Sequence, residues 1–336
     1  MEVIIMIMQT EKSEVTTNVE ESKGFVIEAT ENIMETLSTR LYTNPIRAVI
    51  RELVSNGIDA NIEAGVDAPI KLHLPSNIEP EFYVEDHGIG MDEQTIYDVY
   101  THYGNSTKNG SNNCIGGLGL GSKTPFAYTT QFFVVSAKNG IKNTYVCFKD
   151  ENNMPKISKM DSEEVPLDET GTKVSFPAKS GDFWSFAAEA VITLLFTMKM
   201  PDVVGNLEGF LDRADVDTID DFIAMRDKIA SGTFIDDDNI KNILRRSSYH
   251  GLLVEMGGVA YNVDQSELMD GRGRENILEY ITGKADTVIL HLPIGSVNIQ
   301  SSREALHYNQ RTKDRLTQEI VKLFFTDAQQ VLSDAA

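Results

Sequence analysis

Arg51-Glu52-Leu53-Val54-Ser55-Asn56-Gly57-Ile58-Asp59-Ala60 is the stretch on which the reading of this chain turns. It lies inside a helical pattern running from Asn44 to Ala64, with Asn44 suited to the N-cap, Pro45 to the first turn and Gly65 to the close. Glu52, Asn56 and Asp59 stand at i, i+4 and i+7, so at about 100° per residue they project within about 60° of one another. Ile46, Val49, Ile50 and Leu53 fill the adjoining arc. One face packs, and its edge presents oxygens. A solvated helix edge gives the same spacing, so the trio acquires meaning only from what surrounds it.

Downstream, strand-like runs over 70–74 and 82–85 lead into Val84-Glu85-Asp86-His87-Gly88-Ile89-Gly90-Met91. A carboxylate at a strand end can accept a hydrogen bond from an exocyclic amine, and flanking glycines let backbone approach a flat base. A plain strand-to-helix turn carries the same letters. A Gly/Ser/Asn-rich stretch from Gly104 to Lys123 follows, ending in Cys114-Ile115-Gly116-Gly117-Leu118-Gly119-Leu120-Gly121-Ser122-Lys123 and then Thr124-Pro125-Phe126-Ala127. A glycine-rich loop feeding a helix N-terminus offers backbone N–H groups to phosphates; a flexible surface loop is the alternative. It is not a Walker A loop, because Ser122 separates Gly121 from Lys123. No G-x-G-x-x-G opens a helix after a strand, which sets aside a dinucleotide-binding fold. Gly171-Thr172 at the start of a further strand is a weak fourth signal.

At 336 residues the chain is long enough for two domains that fold without metal or disulfide support. The 41% hydrophobic and 24% charged shares are those of a globular protein. Thirty Lys plus Arg against 51 Asp plus Glu leave a formal charge of -21, which disfavours non-specific nucleic-acid binding. Cys114 and Cys147 form no disulfide framework, and a reducing cytoplasm is expected. Met1-Glu2-Val3-Ile4-Ile5-Met6-Ile7-Met8 is too short for a signal peptide or a span and reads as a strand or an exchanged arm.

The remaining pattern places helices over 31–42 and 182–198, strands near 131–137, 143–148 and 172–176, and an acidic, weakly periodic segment over 201–221 that marks a domain boundary. Beyond it come helices, strands around 252–263 and 287–292, and a last helix from about Gln310. The expected class is α+β, one sheet with helices on a single face. The expected division is an arm over 1–22, a first domain over 23–201 and a second over 202–336.

Taken together and in this order, the four signals resemble the ATP-binding boxes of the gyrase, heat-shock-chaperone, histidine-kinase and MutL superfamily. The resemblance implies a Bergerat-type α/β sandwich followed by a smaller, transducer-like α/β domain, with ATP and Mg²⁺ as ligands. It implies that Glu52 is the general base, that Asn56 ligates the metal and that Asp86 reads the adenine amine. Asp59, Gly88, Gly90, Met91 and Thr172 then complete the base pocket. The loop from Thr101 to Lys123 is similar to the ATP lid, with Lys108 near its hinge and Gly116, Gly117, Leu118, Gly119, Leu120, Gly121, Ser122 and Lys123 at the phosphates. His87 stands where superfamily members often carry Asn.

In Pro293-Ile294-Gly295-Ser296-Val297-Asn298-Ile299-Gln300-Ser301-Ser302-Arg303-Glu304, the Ser-Arg-Glu turn resembles one that supplies an arginine to the γ-phosphate in heat-shock chaperones. Arg303 is therefore the second catalytic candidate; an Arg303–Glu304 surface pair or a helix-capping motif is the alternative. Leu41-Tyr42-Thr43-Asn44-Pro45-Ile46-Arg47, the lid glycines and Pro293–Ile299 also look like the phage rIIA lysis-inhibition family. That likeness implies control of host lysis and countering of host defence, with peripheral attachment to the inner membrane through a partner; the resemblance to gyrase and MutL implies a homodimer strapped by the N-terminal arm. A non-hydrolysing ATP-binding scaffold and a DNA-repair or topoisomerase-type ATPase are the competing readings.

Overall fold

The computed structural model describes residues 30–103, 120–268 and 274–334. The apolar Met1–Met8 run, the rest of the expected arm and most of the glycine-rich loop lie outside the described residues. The first part is built on a seven-stranded sheet: β1 (Lys71–Leu74), β2 (Glu81–Glu85), β3 (Gln131–Lys138), β4 (Ile141–Lys149), β5 (Pro155–Glu164), β6 (Gly171–Pro177) and β7 (Asp202–Gly205), in the order β5-β4-β3-β6-β2-β1-β7. Every pairing is antiparallel except β1 with β7.

Short helix α1 (Glu31–Glu35) runs into a π-helical turn over Thr36–Arg40, so the helix expected over 31–42 is tighter at its start and wider at its end. Helix α2 (Pro45–Ala64) matches the sequence reading. The Asn44 side chain accepts from Arg47 N at 3.0 Å, and Gly65 closes the helix at φ 68. That left-handed position costs glycine nothing and other residues about 1 kcal/mol or more. Helix α3 (Glu93–Thr95), with the π-helical turn Ile96–Tyr100 after it, and α4 (Pro125–Tyr128) flank the glycine-rich segment. Helix α5 (Phe183–Leu194) packs beside α2. Val49, Ile50, Leu53 and Val54 of α2, together with Phe186, Ala190 and Val191 of α5, meet Phe82, Val84, Phe132, Val134, Val174 and Phe176 of the sheet in one core. The α+β class is as expected: a mixed sheet under helices, then a second, smaller sheet.

The acidic segment over 201–221, expected to mark a domain boundary, carries regular structure. Residues 202–205 form β7, which adds to the first sheet beside β1, and α6 (Leu207–Ala214) follows at once. Helices α7 (Ile219–Ser231) and α8 (Asp238–Arg246), with the two-residue β8 (Phe234–Ile235) between them, carry Phe222, Met225, Ile229, Ile240, Ile243 and Leu244 into the same core as the first sheet.

Strands β9 (Gly251–Met256), β10 (Val259–Asn262) and β11 (Thr287–Leu292) complete a four-stranded sheet in the order β10-β9-β11-β8, with β9 and β11 parallel. Leu253, Ala260 and Ile289 face the first core. Leu252, Val254, Val288 and Leu290 face a second core, where α9 (Arg274–Thr282) supplies Leu278 and Ile281 and α10 (Gln310–Asp334) supplies Leu316 and Ile320. Burial on both faces explains why these strands read as continuous apolar runs instead of alternating. Among the described residues no helix is long and apolar enough to cross a membrane.

Candidate functional site

Glu52 and Asp59 are buried on α2, 3% and 6% exposed, and Asn56 lies half-buried between them. The Glu52 carboxylate is shared. Arg51 Nε donates to Oε1 at 3.3 Å, and Arg303 Nη1 donates to Oε2 at 2.9 Å across 251 residues of chain. Arg51 Nη2 also donates to the Ser302 carbonyl at 2.9 Å. Arg303 is 6% exposed, so the surface-pair alternative does not hold. The capping alternative holds for its neighbour instead. Glu304 accepts from Thr43 N at 2.8 Å and from Asn44 N at 3.1 Å, ahead of the first turn of α2.

Arg303 adopts φ 56, a left-handed conformation that costs a non-glycine residue about 1–3 kcal/mol and collects at functional sites. The turn that holds it is closed by Arg303 N to Gln300 O and Gln300 N to Ala305 O, both 2.9 Å, and by a bridge between Ile299 and Leu306. Burial opposes the charge on Arg303, yet Glu52 and then Tyr261 beside it carry its pKa above the ordinary guanidinium value. Tyr42 lies close to the same charges; burial, reinforced by Glu52, pushes its phenol well above the usual range.

The second cluster forms where β2 ends. Asp86 Oδ1 accepts from Gly88 N at 2.9 Å and from Thr172 N at 3.1 Å, while Asp86 N donates to Thr172 O at 2.9 Å. Carboxylate and strand β6 therefore hold each other in place. Gly90 has φ 66, and a Cβ there would overlap the Ala137 carbonyl; Gly171, at φ 130, would overlap the Asp86 carbonyl in the same way. At Gly88 a Cβ would stand 2.7 Å from that of Ala60 on α2. Two residues that the sequence reading did not select, Ser136 and Asn61, and one that it read only as a weak signal, Gly171, complete the cluster. Ser136 accepts from Met91 N at 2.8 Å and lies 2.9 Å from Thr172 Oγ1, Asn61 accepts from His87 N at 2.8 Å, and Gly171 supplies the close approach.

The two feet of the glycine-rich loop are stitched together. Tyr100 donates to Ser122 O at 3.0 Å, and Lys123 Nζ donates to His102 O at 2.9 Å while lying over the rings of Tyr100 and Tyr103. Burial holds the Lys123 ammonium down to about 8. Lys123 was expected at the phosphates; in this structure its ammonium serves the loop base. Gly121 abuts the catalytic candidate directly, since a Cβ would stand 2.6 Å from Glu52 Oε2 and 3.5 Å from Asn56 Nδ2. Leu120 is half-buried at the same foot, whereas Lys108, Gly116, Gly117, Leu118 and Gly119 lie outside the described residues.

The arrangement suits a nucleotide triphosphate. Arg303 Nε is buried with no protein acceptor, on a guanidinium paired with the acid that Gly121 abuts. A buried orphan donor of this kind is costly unless an anion or water completes it. At the other end the Asp86 carboxylate is anchored among three glycines, Gly88, Gly90 and Gly171, whose positions admit no side chain.

No curated protein matches the chain. Residues 42–174 match the family model described as histidine kinase-, DNA gyrase B-, and HSP90-like ATPase. Glu52, Asn56, Asp59, Asp86 and Thr172 fall inside the match, and Arg303 outside it. Domains of this family bind ATP with Mg²⁺, and the donors assembled here fit both. Residues 42–174 are thus similar to the ATP-binding domain of the histidine kinase-, DNA gyrase B- and HSP90-like ATPases.

Proposed function

We propose that this protein is an ATP-hydrolysing conformational switch whose catalytic set is divided between its two parts. The observation that carries the reading is the contact of Arg303 with Glu52, which places an acid and a phosphate-seeking guanidinium from opposite ends of the chain beside Gly121. In this reading Asp86 accepts a hydrogen bond from the adenine amine, with Asp59 and Thr172 behind it. Asn56 holds Mg²⁺, which when bound neutralises charge between the phosphates.

Glu52 takes a proton from the attacking water. Both Glu52 oxygens are occupied by guanidinium donors, so Arg303 must leave Oε2 for the γ-phosphate before that oxygen can face the water. There its planar fork stabilises the charge of the loose transition state. Arg51 keeps Glu52 oriented through the exchange. A switch of this kind needs only that ATP prefer the closed state; a thousand-fold preference shifts the equilibrium by ~4 kcal/mol.

The motifs around Leu41–Leu53 and Pro293–Ile299 support a finer proposal, a role like that of phage rIIA proteins in control of host lysis and countering of host defence. It adds a cytoplasmic setting, a partner at the inner membrane and a homodimer formed through the N-terminal arm. The formal charge of -21 weighs against a DNA-repair or topoisomerase role.

A second reading, ATP binding without hydrolysis, draws on the same ion pair, because a permanently engaged Glu52 never serves as a base. Calorimetric titration of ATP with and without Mg²⁺, paired with phosphate release, separates the two readings. Wild type turns over, Glu52→Gln binds ATP but releases no phosphate, and Asp86→Asn loses affinity. Wild type that binds ATP without turnover leaves the scaffold reading standing.

A further inference from the structure

We infer that Glu304 is a positioning residue for hydrolysis, a pivot that keeps Arg303 within reach of the γ-phosphate through its grip on the backbone ahead of α2. The inference rests on the reading of Glu52 as base and goes beyond it, since the Glu304 carboxylate engages the backbone ahead of α2 and not the reacting groups themselves.

Three consecutive residues dock the second part onto α2, each in a different way. The Ser302 carbonyl accepts from Arg51, Arg303 donates to Glu52, and the Glu304 carboxylate accepts from two backbone amides. The first two contacts end on side chains that belong to the reaction centre. Any movement of Arg303 from Glu52 to a phosphate changes them.

The third does not depend on that movement. Its two acceptor oxygens engage Thr43 N and Asn44 N, one per oxygen, at the positively polarised start of the helix that carries Glu52. The helix start is itself fixed. Asn44 Nδ2 donates to Glu189 Oε1 at 2.8 Å and Arg47 Nε to Glu189 Oε2 at 2.6 Å, which ties it to α5. Glu304 therefore grips a rigid part of the nucleotide domain.

That grip has a consequence for Arg303, the adjacent residue. Arg303 is held in the left-handed conformation with the closed turn behind it and the Glu304 clasp in front. Release of the clasp frees the backbone to leave φ 56 and carries the guanidinium away from the site. Misplacement of a catalytic group by about 1 Å is enough to cost on the order of 100-fold in rate. ATP affinity, set at the adenine site and the metal, has no such dependence on Glu304.

The test uses the full chain and the variants Glu304→Ala, Glu304→Gln, Arg303→Ala and Glu304→Ala/Arg303→Ala. Phosphate release gives kcat, and calorimetry gives the Kd for Mg-ATP. Glu304→Ala is expected to lower kcat at least ~10-fold with Kd changed less than ~2-fold. Glu304→Gln, which keeps one acceptor oxygen, recovers part of the rate. In the Arg303→Ala background the Glu304→Ala change adds no further loss, because a residue that acts only through Arg303 has nothing left to position.

Hydrogen exchange at the Thr43 and Asn44 amides confirms loss of the clasp in a folded variant. Wild-type kcat for Glu304→Ala, or losses that multiply in the double variant, overturns the proposal while Glu52→Gln remains inactive. Wild-type turnover by Glu52→Gln instead overturns the reading of Glu52 as base, and this proposal with it.

Discussion

Replacement of Glu52 and Arg303 singly and together tests whether the two parts are joined as the structure has them. The charged atoms stand 2.9 Å apart and both residues are at most 6% exposed, so screening by solvent is slight. At an effective dielectric of about 20, a pair at that separation attracts by about 6 kcal/mol before desolvation is subtracted. Glu52→Gln leaves Arg51 and Arg303 facing each other with no counter-charge, which costs about 3–5 kcal/mol. Arg303→Met is milder, about 2 kcal/mol, because Arg51 still pairs with Glu52 Oε1. The double variant removes both halves of the mismatch, so its loss falls short of the sum by about 2 kcal/mol. Urea unfolding provides the assay, followed by circular dichroism and by fluorescence of Trp184, the chain's one tryptophan. Coincident transitions license the two-state arithmetic. Losses that add within about 0.5 kcal/mol show that the side chains do not interact, and the interdomain site is then wrong.

Gly90→Ala places a methyl against the Ala137 carbonyl of β3 at a backbone φ of 66, so the 86–91 turn must move. Calorimetry is expected to show ATP affinity down by ~10-fold or more, at a stability loss of ~1–3 kcal/mol; undiminished affinity refutes the adenine site. Lys123 gives a pH signature. Its folded pKa is lowered to about 8 from 10.5, so between those values the unfolded chain binds the extra proton and stability rises with pH. Measured as wild type minus Lys123→Met, stability is expected to gain ~1–2 kcal/mol from pH 8 to 9.5. A flat difference means that the ammonium is solvated and does not stitch the loop.

How far the sequence carried depended on whether a feature is local. Helix α2 was legible at both ends because Asn44, Pro45 and Gly65 each do one job that few other residues do as well. The Asp86 turn was legible through its glycines, whose need is a matter of backbone space. Strand β5 was missed because it is a sheet edge, mostly exposed and charged, with no apolar alternation to read. Strand β7 was read as part of a domain boundary because four residues carry too little pattern, and only its parallel pairing with β1 makes it a strand. Ser136 and Asn61 were invisible for a different reason. Register alone brings Ser136 opposite Thr172, and nothing in the letters around it states that register. Lys123 was placed at the phosphates by its loop; the tyrosines that enclose it lie about twenty residues earlier.

The least legible feature is also the one that matters most for mechanism. Glu52 and Arg303 were each nominated from local motifs, yet neither motif states that the two side chains meet. Their meeting changes the chemistry expected of both. An acid that is free is always a base, and an arginine that is free always seeks phosphate; paired, each holds the other back until a nucleotide competes for the guanidinium. Were the two parts to separate, Glu52 would be released but the transition state would lose its positive charge. Were the pair to persist, the charge would be present but Glu52 Oε2 would stay occupied by the guanidinium. Hydrolysis therefore requires the parts to stay docked while one contact between them is exchanged. A clasp that holds Thr43 and Asn44 beside the exchanging pair meets that requirement, since it lets Arg303 move without letting its backbone go.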